Sequence, residues 1–271
     1  MSLQHTVLMP FNRPKHFRTL REGMEGQGVT WVPLYDSDEC ENFFADIGPT
    51  GWMQSREGKV LREGQLPDWI KPGRGDLPKA PVLEGGQTVV RPTVNPGHWM
   101  CDAFLDSRLT EFDKKGQDGN QETWGSFFRK DHYVSFMTDD CFWAWNHWRK
   151  IQQHFVKRGP QQQEYGPAVI MTATMLGSNI IYAQHRRPNQ LFHESTCRTF
   201  CTRFEALTVR ADLLKEPRFG SFWAGDGIMV ERLVEQNIGA LPENVVFENN
   251  ACVYFNALRP ECWGFPESHQ R

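Results

Sequence analysis

Two adjacent carboxylates, Asp139 and Asp140, follow a stretch of sequence that is typical of a β-strand. The stretch from His132 to Met137 is rich in the aromatic and β-branched residues that favour strands. Carboxylates at a strand end can hold a divalent cation and a phosphorylated ligand, because such ions prefer oxygen ligands and the carboxyl ends of strands border ligand crevices. The acid pair is therefore the first candidate binding site.

A second strand with a polar end lies near the N-terminus. Residues Gln4 to Pro10 form an apolar, β-branched run that stops at the turn sequence Phe11-Asn12-Arg13-Pro14, and the basic stretch Lys15 to Arg18 then begins a helix. Residues Val29 to Leu34 predict a further strand, which ends in Tyr35-Asp36-Ser37-Asp38. A strand–helix–strand unit of this length predicts parallel strands with a right-handed crossover. We expect the polar strand ends to share one cleft.

The composition limits the class of protein. A formal net charge of −3 over 271 residues gives no basic field for non-specific binding to nucleic acid or membranes. We find no secretory signal, and the longest charge-free run, Gly166 to Ala183, is interrupted by polar residues and a turn, which argues against a membrane span. Seven cysteines without repeated close pairs argue against a disulfide framework. The expectation is a single-domain α/β protein in the cytoplasm.

Further elements are predicted around this cleft. Apolar spacing predicts one helix from His98 to about Phe112 and another from Phe142 to Lys157. Residues 168 to 182 predict a buried hairpin, and Val245 to Phe255 predict a last strand. The sequence contains no Gly-rich phosphate loop, dinucleotide-binding turn or nucleophile elbow, which argues against kinases, dehydrogenases and esterases.

Four separated segments, in order, resemble nucleotide-sugar-dependent glycosyltransferases of the GT-A fold, especially the inverting family-two type. The segments are Val7-Leu8-Met9-Pro10-Phe11-Asn12-Arg13-Pro14, Tyr35-Asp36-Ser37-Asp38, Phe136-Met137-Thr138-Asp139-Asp140-Cys141, and Leu207 to Phe219 together with Gly225-Asp226-Gly227 to Leu233. The resemblance covers about half of the chain. It implies a Rossmann-like three-layer sandwich with a mixed, mainly parallel central sheet. About residues 1–140 would form the nucleotide-binding half, and about 141–271 the acceptor-binding half.

The resemblance also implies roles for individual residues. Asp140, with Asp139 beside it, would hold Mn²⁺ or Mg²⁺ against the diphosphate of the donor. Asp226 would be the general base for the acceptor hydroxyl, with Glu231 in reserve if the following helix begins near Ile228. The residues that would form the nucleotide-sugar pocket are Pro10, Asn12, Arg13, Asp36, Asp38 and Asp139.

Alternative roles stay open. Asp139-Asp140 could cap a helix that starts at Cys141, and Asp226 could cap the helix after it, because acids satisfy the free N–H groups at helix starts. A retaining transferase could use the same sheet and acid pair. From a different class, a non-catalytic carbohydrate- or nucleotide-binding protein is the alternative, which Cys141 favours because many members of the family have a third acid at its position.

The acceptor and the partners are also open. A glycan or small molecule is expected, and a nucleic acid or protein acceptor would depend on lysines and arginines in residues 56–91 and 184–203. The oligomeric state is not predicted. Four zinc-binding residue types occur together, but wide spacing and the lack of a Cys-x-x-Cys pair argue against zinc. These residues are His185, His193, Cys197 and Cys201.

Overall fold

The structure is a computed structural model that describes residues 3–48, 50–60, 96–117, 127–158, 163–176, 203–215, 219, 225–234, 244–255 and 257–258. The strands in these ranges are β1 (Gln4–Pro10), β2 (Thr30–Leu34), β3 (His132–Phe136), β4 (Phe142–Trp143), β5 (Val156–Arg158), β6 (Gln163–Tyr165), β7 (Val169–Leu176), β8 (Leu207–Arg210) and β9 (Val245–Phe255). The α-helices are α1 (Phe17–Met24), α2 (Asp38–Ile47), α3 (Pro96–Gln117), α4 (His147–Gln152) and α5 (Gly225–Leu233). None of these described helices is both long and apolar enough to cross a membrane.

A mixed seven-stranded sheet has the order β2-β1-β3-β8-β7-β9-β4. β1 is parallel to both β2 and β3, and β7 is parallel to β9, whereas β8 and β4 run antiparallel to their neighbours. Five of the seven strands therefore point in one direction. The predicted α/β class, the mixed sheet and the parallel strand–helix–strand start are confirmed. The single domain and its two halves stay predictions.

Apolar side chains cover both faces of the sheet. Along β1, Val7 and Met9 pack into one buried cluster with residues of α1, α2 and α4, whereas Leu8 joins a second cluster with residues of α3 and α5. This alternation follows from the period of two residues along a strand. Each large side chain buried in these clusters contributes about 1.5–3 kcal/mol. The two layers fix the sheet and with it the positions of the strand ends.

The helix predicted over Phe142 to Lys157 is wrong. The segment instead forms β4, the short α4 and β5. The indole N–H groups of Trp143 and Trp148 both donate to the carbonyl of Gly23, at 3.0 and 3.2 Å, and β4 pairs with β9. These tertiary contacts outweigh the helical spacing of the apolar residues. The first strand of the hairpin predicted over 168–182 is β7, and residues beyond 176 lie outside the described ranges.

Residues 50–60 follow the outer edge of β2. The N–H of Trp31 donates to the carbonyl of Trp52 at 2.8 Å, and the N–H of Tyr35 donates to the carbonyl of Gly58 at 3.0 Å. A Cβ atom at Gly58 would lie 1.7 Å from the carbonyl oxygen of Pro33, so this approach to β2 requires glycine. The backbone of the edge strand is thus partly paired on both sides.

Candidate functional site

The carboxyl ends of β1 and β3 meet at one edge of the sheet. The two strands are parallel neighbours in register, and the N–H of Met137 continues the ladder by donating to the carbonyl of Leu8 at 3.0 Å. Beyond this point the segment after β1 turns through Asn12 and Arg13, and the segment after β3 reaches Asp139. The structure therefore brings these three predicted site residues together.

Asp139 fastens the turn after β1 to the end of β3. The backbone N–H of Asn12 donates to its Oδ2 at 2.8 Å, and Arg13 Nη1 pairs with its Oδ1. His16 Nδ1 donates to the backbone carbonyl of Asp139 at 2.7 Å. Burial raises the pKa of the Asp139 carboxyl, although the contacts from Asn12 and Arg13 favour the ionised form. Asp139 therefore holds the site together as well as bringing charge to it.

Asp140 is also buried, and its contacts differ from those of Asp139. The hydroxyl of Thr138 donates to Asp140 Oδ1 at 2.7 Å, and Arg13 Nη1 lies 3.6 Å from Asp140 Oδ2. A single guanidinium nitrogen thus faces both carboxylates of the pair. The alternative role as a helix cap fails here, because the short strand β4 follows the acids at Phe142.

A third buried carboxyl, that of Glu205, lies beside the pair. It belongs to the 3-10 turn Phe204–Ala206 before β8, and its Oε1 is 3.2 Å from Thr138 Oγ1. Burial raises the pKa of Glu205 to about 7, and the negative charges of Asp226 and Asp140 add to the rise. Because a hydroxyl has one hydrogen, a protonated Glu205 can donate to Thr138 while Thr138 donates to Asp140.

The sequence interpretation missed Glu205. A signal was present, because Glu205 is the one charged residue in the apolar run from Phe204 to Leu207. An acid inside such a run is expected to be buried, and a buried carboxyl is a candidate for a functional role.

Asp226 lies in the first turn of α5. Its Oδ1 accepts a hydrogen bond from the N–H of Gly227 at 2.8 Å. Burial raises the pKa of Asp226 to about 6, against the opposing effects of that N–H and of the Arg203 charge. The charge of Asp226, like that of Asp140, helps to raise the pKa of Glu205, so the predicted base and the acid pair both influence this carboxyl.

The start of α5 is seated on α3 through Phe219. Asp102 Oδ1 accepts a hydrogen bond from the N–H of Phe219 at 2.9 Å, and the ring of His98 stacks on the ring of Phe219 with centroids 5.2 Å apart. A Cβ atom at Gly225 would lie 2.3 Å from the Phe219 carbonyl oxygen and 2.9 Å from His98 Nδ1. Glycine is therefore required where α5 begins, one residue before Asp226.

Glu231 does not share the face of Asp226. The helix begins at Gly225, three residues before the start at Ile228 on which its reserve role depended. Residues five positions apart on an α-helix are rotated by about 140° from each other. Asp226 and Glu231 therefore lie on different faces of α5.

The remaining predicted pocket residues lie at the ends of β1 and β2. Pro10 is the last residue of β1, and Asp38 is exposed in the first turn of α2, where Ser37 is the N-cap and accepts from the N–H of Cys40 at 3.3 Å. Burial raises the pKa of the Cys40 thiol, and the charges of Glu39, Asp139 and Asp36 add to the rise.

The acid pair is in contact with a guanidinium and with other hydrogen-bond donors. Oxygens of Asp139 and Asp140 face the Arg13 nitrogen, the Asn12 N–H and the Thr138 hydroxyl. Within the described ranges no group of three or more His, Cys, Asp or Glu side chains could hold a metal ion. The metal site stays a prediction. Outside those ranges lie the candidate zinc residues His185, His193, Cys197 and Cys201, and most of the two basic segments.

Comparison with known proteins gives no match. No family model matches the chain. No curated protein and no solved structure matches it either.

Proposed function

We propose that the protein is a glycosyltransferase of the GT-A fold that moves a sugar from a nucleoside-diphosphate sugar to an acceptor hydroxyl with inversion. The observation that best supports this proposal is the contact of the acid pair with a further buried carboxyl. The Thr138 hydroxyl lies 2.7 Å from Asp140 Oδ1 and 3.2 Å from Glu205 Oε1, and the negative charge of Asp226 helps to raise the pKa of Glu205. Glu205, whose pKa is raised to about 7, thus lies beside the end of β3, and ends of parallel strands commonly bind phosphorylated ligands.

The reaction requires a base on the acceptor side. As the acceptor oxygen bonds to the anomeric carbon, its proton passes to the carboxylate of Asp226, and the bond from that carbon to the diphosphate oxygen breaks on the opposite face. The leaving diphosphate keeps the bonding electrons. A pKa of about 6 leaves Asp226 mostly ionised at neutral pH, yet basic enough to accept a proton.

The donor side requires positive charge. Arg13 brings a guanidinium to the end of β1, next to the acid pair. A guanidinium has several N–H donors in a planar arrangement that matches phosphate oxygens. Arg13 is therefore the proposed contact of the departing diphosphate.

The proposal is tested by nucleotide release. We would first identify a stabilising donor by thermal shift across nucleoside-diphosphate sugars, then measure free nucleotide with and without candidate acceptors. Asp226→Asn should lower the rate of sugar transfer by about a hundredfold or more, because general-base catalysis contributes that much, while donor binding persists. Asp46→Asn, an exposed change on α2, is the matched control and should leave the rate unchanged.

Two results would count against the proposal. Near-normal transfer by Asp226→Asn would remove Asp226 from the role of base. A protein that binds a nucleotide sugar but releases no nucleotide under any condition would instead be the non-catalytic binder.

A further inference from the structure

We propose that Arg13 is the resident cation of the acid pair and takes the place that a divalent metal would occupy between Asp139 and Asp140. The inference depends on the proposed function only for the nature of the ligand, a nucleoside diphosphate. Its consequence is that this ligand binds without a metal ion.

The guanidinium of Arg13 lies against both acids of the pair. Arg13 Nη1 is in contact with Asp139 Oδ1 and lies 3.6 Å from Asp140 Oδ2. A divalent ion bridging these oxygens would have to lie about 2.0–2.6 Å from each of them. The ion and the nitrogen cannot share that space, and their like charges repel.

The backbone that carries Arg13 is held in place on both sides. Arg13 precedes Pro14, which disfavours a helical conformation at Arg13, and its φ and ψ angles are −128° and 81°. On one side the Asn12 N–H is bonded to Asp139, and on the other the His16 N–H donates to the Arg13 carbonyl at 2.9 Å. Asp139 thus anchors both the turn and the side chain that occupies the site.

The Arg13 side chain is 30% exposed, whereas that of Asp139 is 2% exposed. The Arg13 side chain therefore reaches the solvent while its Nη1 contacts the buried acid. Nη1 makes the contacts with the acids, and the guanidinium has further N–H donors of the kind that bind phosphate oxygens.

The experiment is a titration of the metal-free protein with Mn²⁺ alone, in which calorimetry measures the binding. The wild type should show no binding that depends on Asp140. Arg13→Met removes the guanidinium from between the two acids, and the variant should bind Mn²⁺ at least about tenfold more tightly than the wild-type protein does. A tenfold change corresponds to only about 1.4 kcal/mol of relieved repulsion. The double change Arg13→Met with Asp140→Asn should lose that affinity again.

Matched variants distinguish the loss of the Arg13 charge from a general disturbance of the fold. Arg18→Met removes an exposed arginine of α1 and should behave as the wild type. Arg13→Lys retains the positive charge and should continue to exclude Mn²⁺. Wild-type protein that binds Mn²⁺ tightly through Asp140, with no gain in Arg13→Met, would overturn the proposal.

A second measurement uses the wild type only, so that it does not depend on the folding of any variant. The uridine, guanosine, adenosine and cytidine diphosphates are compared by thermal shift in EDTA and in Mn²⁺. The nucleotide that stabilises the protein should do so equally in EDTA, and stabilisation that appears only with Mn²⁺ would contradict a resident guanidinium. If none of them stabilises, the proposed function loses its ligand, whereas the Mn²⁺ titration still decides the role of Arg13.

Discussion

At the scale of single residues, the two neighbouring acids have different tasks. Asp139 connects the turn after β1 to the end of β3 through its carboxylate and its carbonyl. Asp140 is instead linked through Thr138 to Glu205. Asp139 thus stabilises the fold, whereas Asp140 belongs to the hydrogen-bonded group that includes Glu205.

Replacing Asp139 should therefore cost stability. Asp139→Ala leaves the Asn12 N–H and the Arg13 guanidinium without their acceptor, and we expect it to lower the free energy of unfolding by about 3 kcal/mol. Urea unfolding at neutral pH measures the change. Asp46→Ala, exposed on α2, should change stability by less than about 0.5 kcal/mol. A loss for Asp139→Ala no larger than that of the control would contradict the anchoring role.

Glu205 should make stability depend on pH. Its folded pKa of about 7 lies above the ordinary 4.5, so the folded state prefers the protonated acid. The cost of ionising it is absent below pH 4.5, grows between pH 4.5 and 7, and is complete above pH 7, where it reaches about 3 kcal/mol.

Glu205→Gln should remove that cost and keep an oxygen near Thr138. The melting temperature of the variant should exceed that of the wild type at pH 8 and match it at pH 4.5, as measured by calorimetry across the range. Glu22→Gln, an exposed change on α1, is the control. An equal shift at both pH values would show that packing rather than ionisation is responsible.

At the scale of elements, the position of Asp226 depends on how α5 is seated. The helix begins against Phe219, which α3 holds by a hydrogen bond and a ring contact. The proposed base is therefore positioned by an element more than a hundred residues earlier in the chain. A shift of the first turn of α5 would move the carboxyl of Asp226.

Gly225→Ala tests this seating. The new Cβ atom would meet the Phe219 carbonyl oxygen at 2.3 Å, so the start of α5 must shift. We expect a loss of about 1–3 kcal/mol of stability and a fall in sugar transfer even where the protein stays folded. Gly51→Ala, which meets no atom within 4 Å, should be neutral in both assays. Unchanged transfer in folded Gly225→Ala would show that the seating of α5 does not govern the base.

Elements that local sequence specifies were predictable, and those that distant contacts specify were not. β1, β3 and the strand Val245–Phe255 follow from runs of apolar residues. The segment after Cys141 has helical spacing, yet two indole N–H groups bind Gly23 and divert it into β4 and a short helix. Similarly, the ends of β1 and β3 could be placed together from their parallel pairing, whereas the approach of Glu205 required knowing that β8 lies beside β3.

At the scale of the whole molecule, buried histidines oppose the effect of Glu205. Burial lowers the pKa of His5 to about 3, of His132 to about 4 and of His147 to about 3, from an ordinary 6.5. The unfolded chain therefore binds more protons than the fold once the pH falls below 6.5. Each histidine removes stability at about 1.4 kcal/mol per pH unit from there down to its folded pKa.

His147 offers the simplest test of this acid sensitivity. Its Nδ1 is buried with no hydrogen-bond partner among the described residues, and its ring packs edge-on against Trp148. His147→Phe keeps a planar ring that cannot be protonated. The stability of the variant relative to the wild type should increase steadily as the pH falls from 6.5 to 4.5, as measured by urea unfolding. A difference that is constant with pH would show that protonation of His147 plays no part.

The covering of β2 by residues 50–60 bears on how copies of this protein behave towards one another. An uncovered edge strand offers its backbone to strands of neighbouring molecules, which begins aggregation. Here the N–H groups of Trp31 and Tyr35 are already bonded to this segment, and Pro33 has no N–H to offer. A proteolytic cut that released residues 50–60 would therefore free these N–H groups, and β2 would then offer an unpaired edge to strands of further copies of the protein.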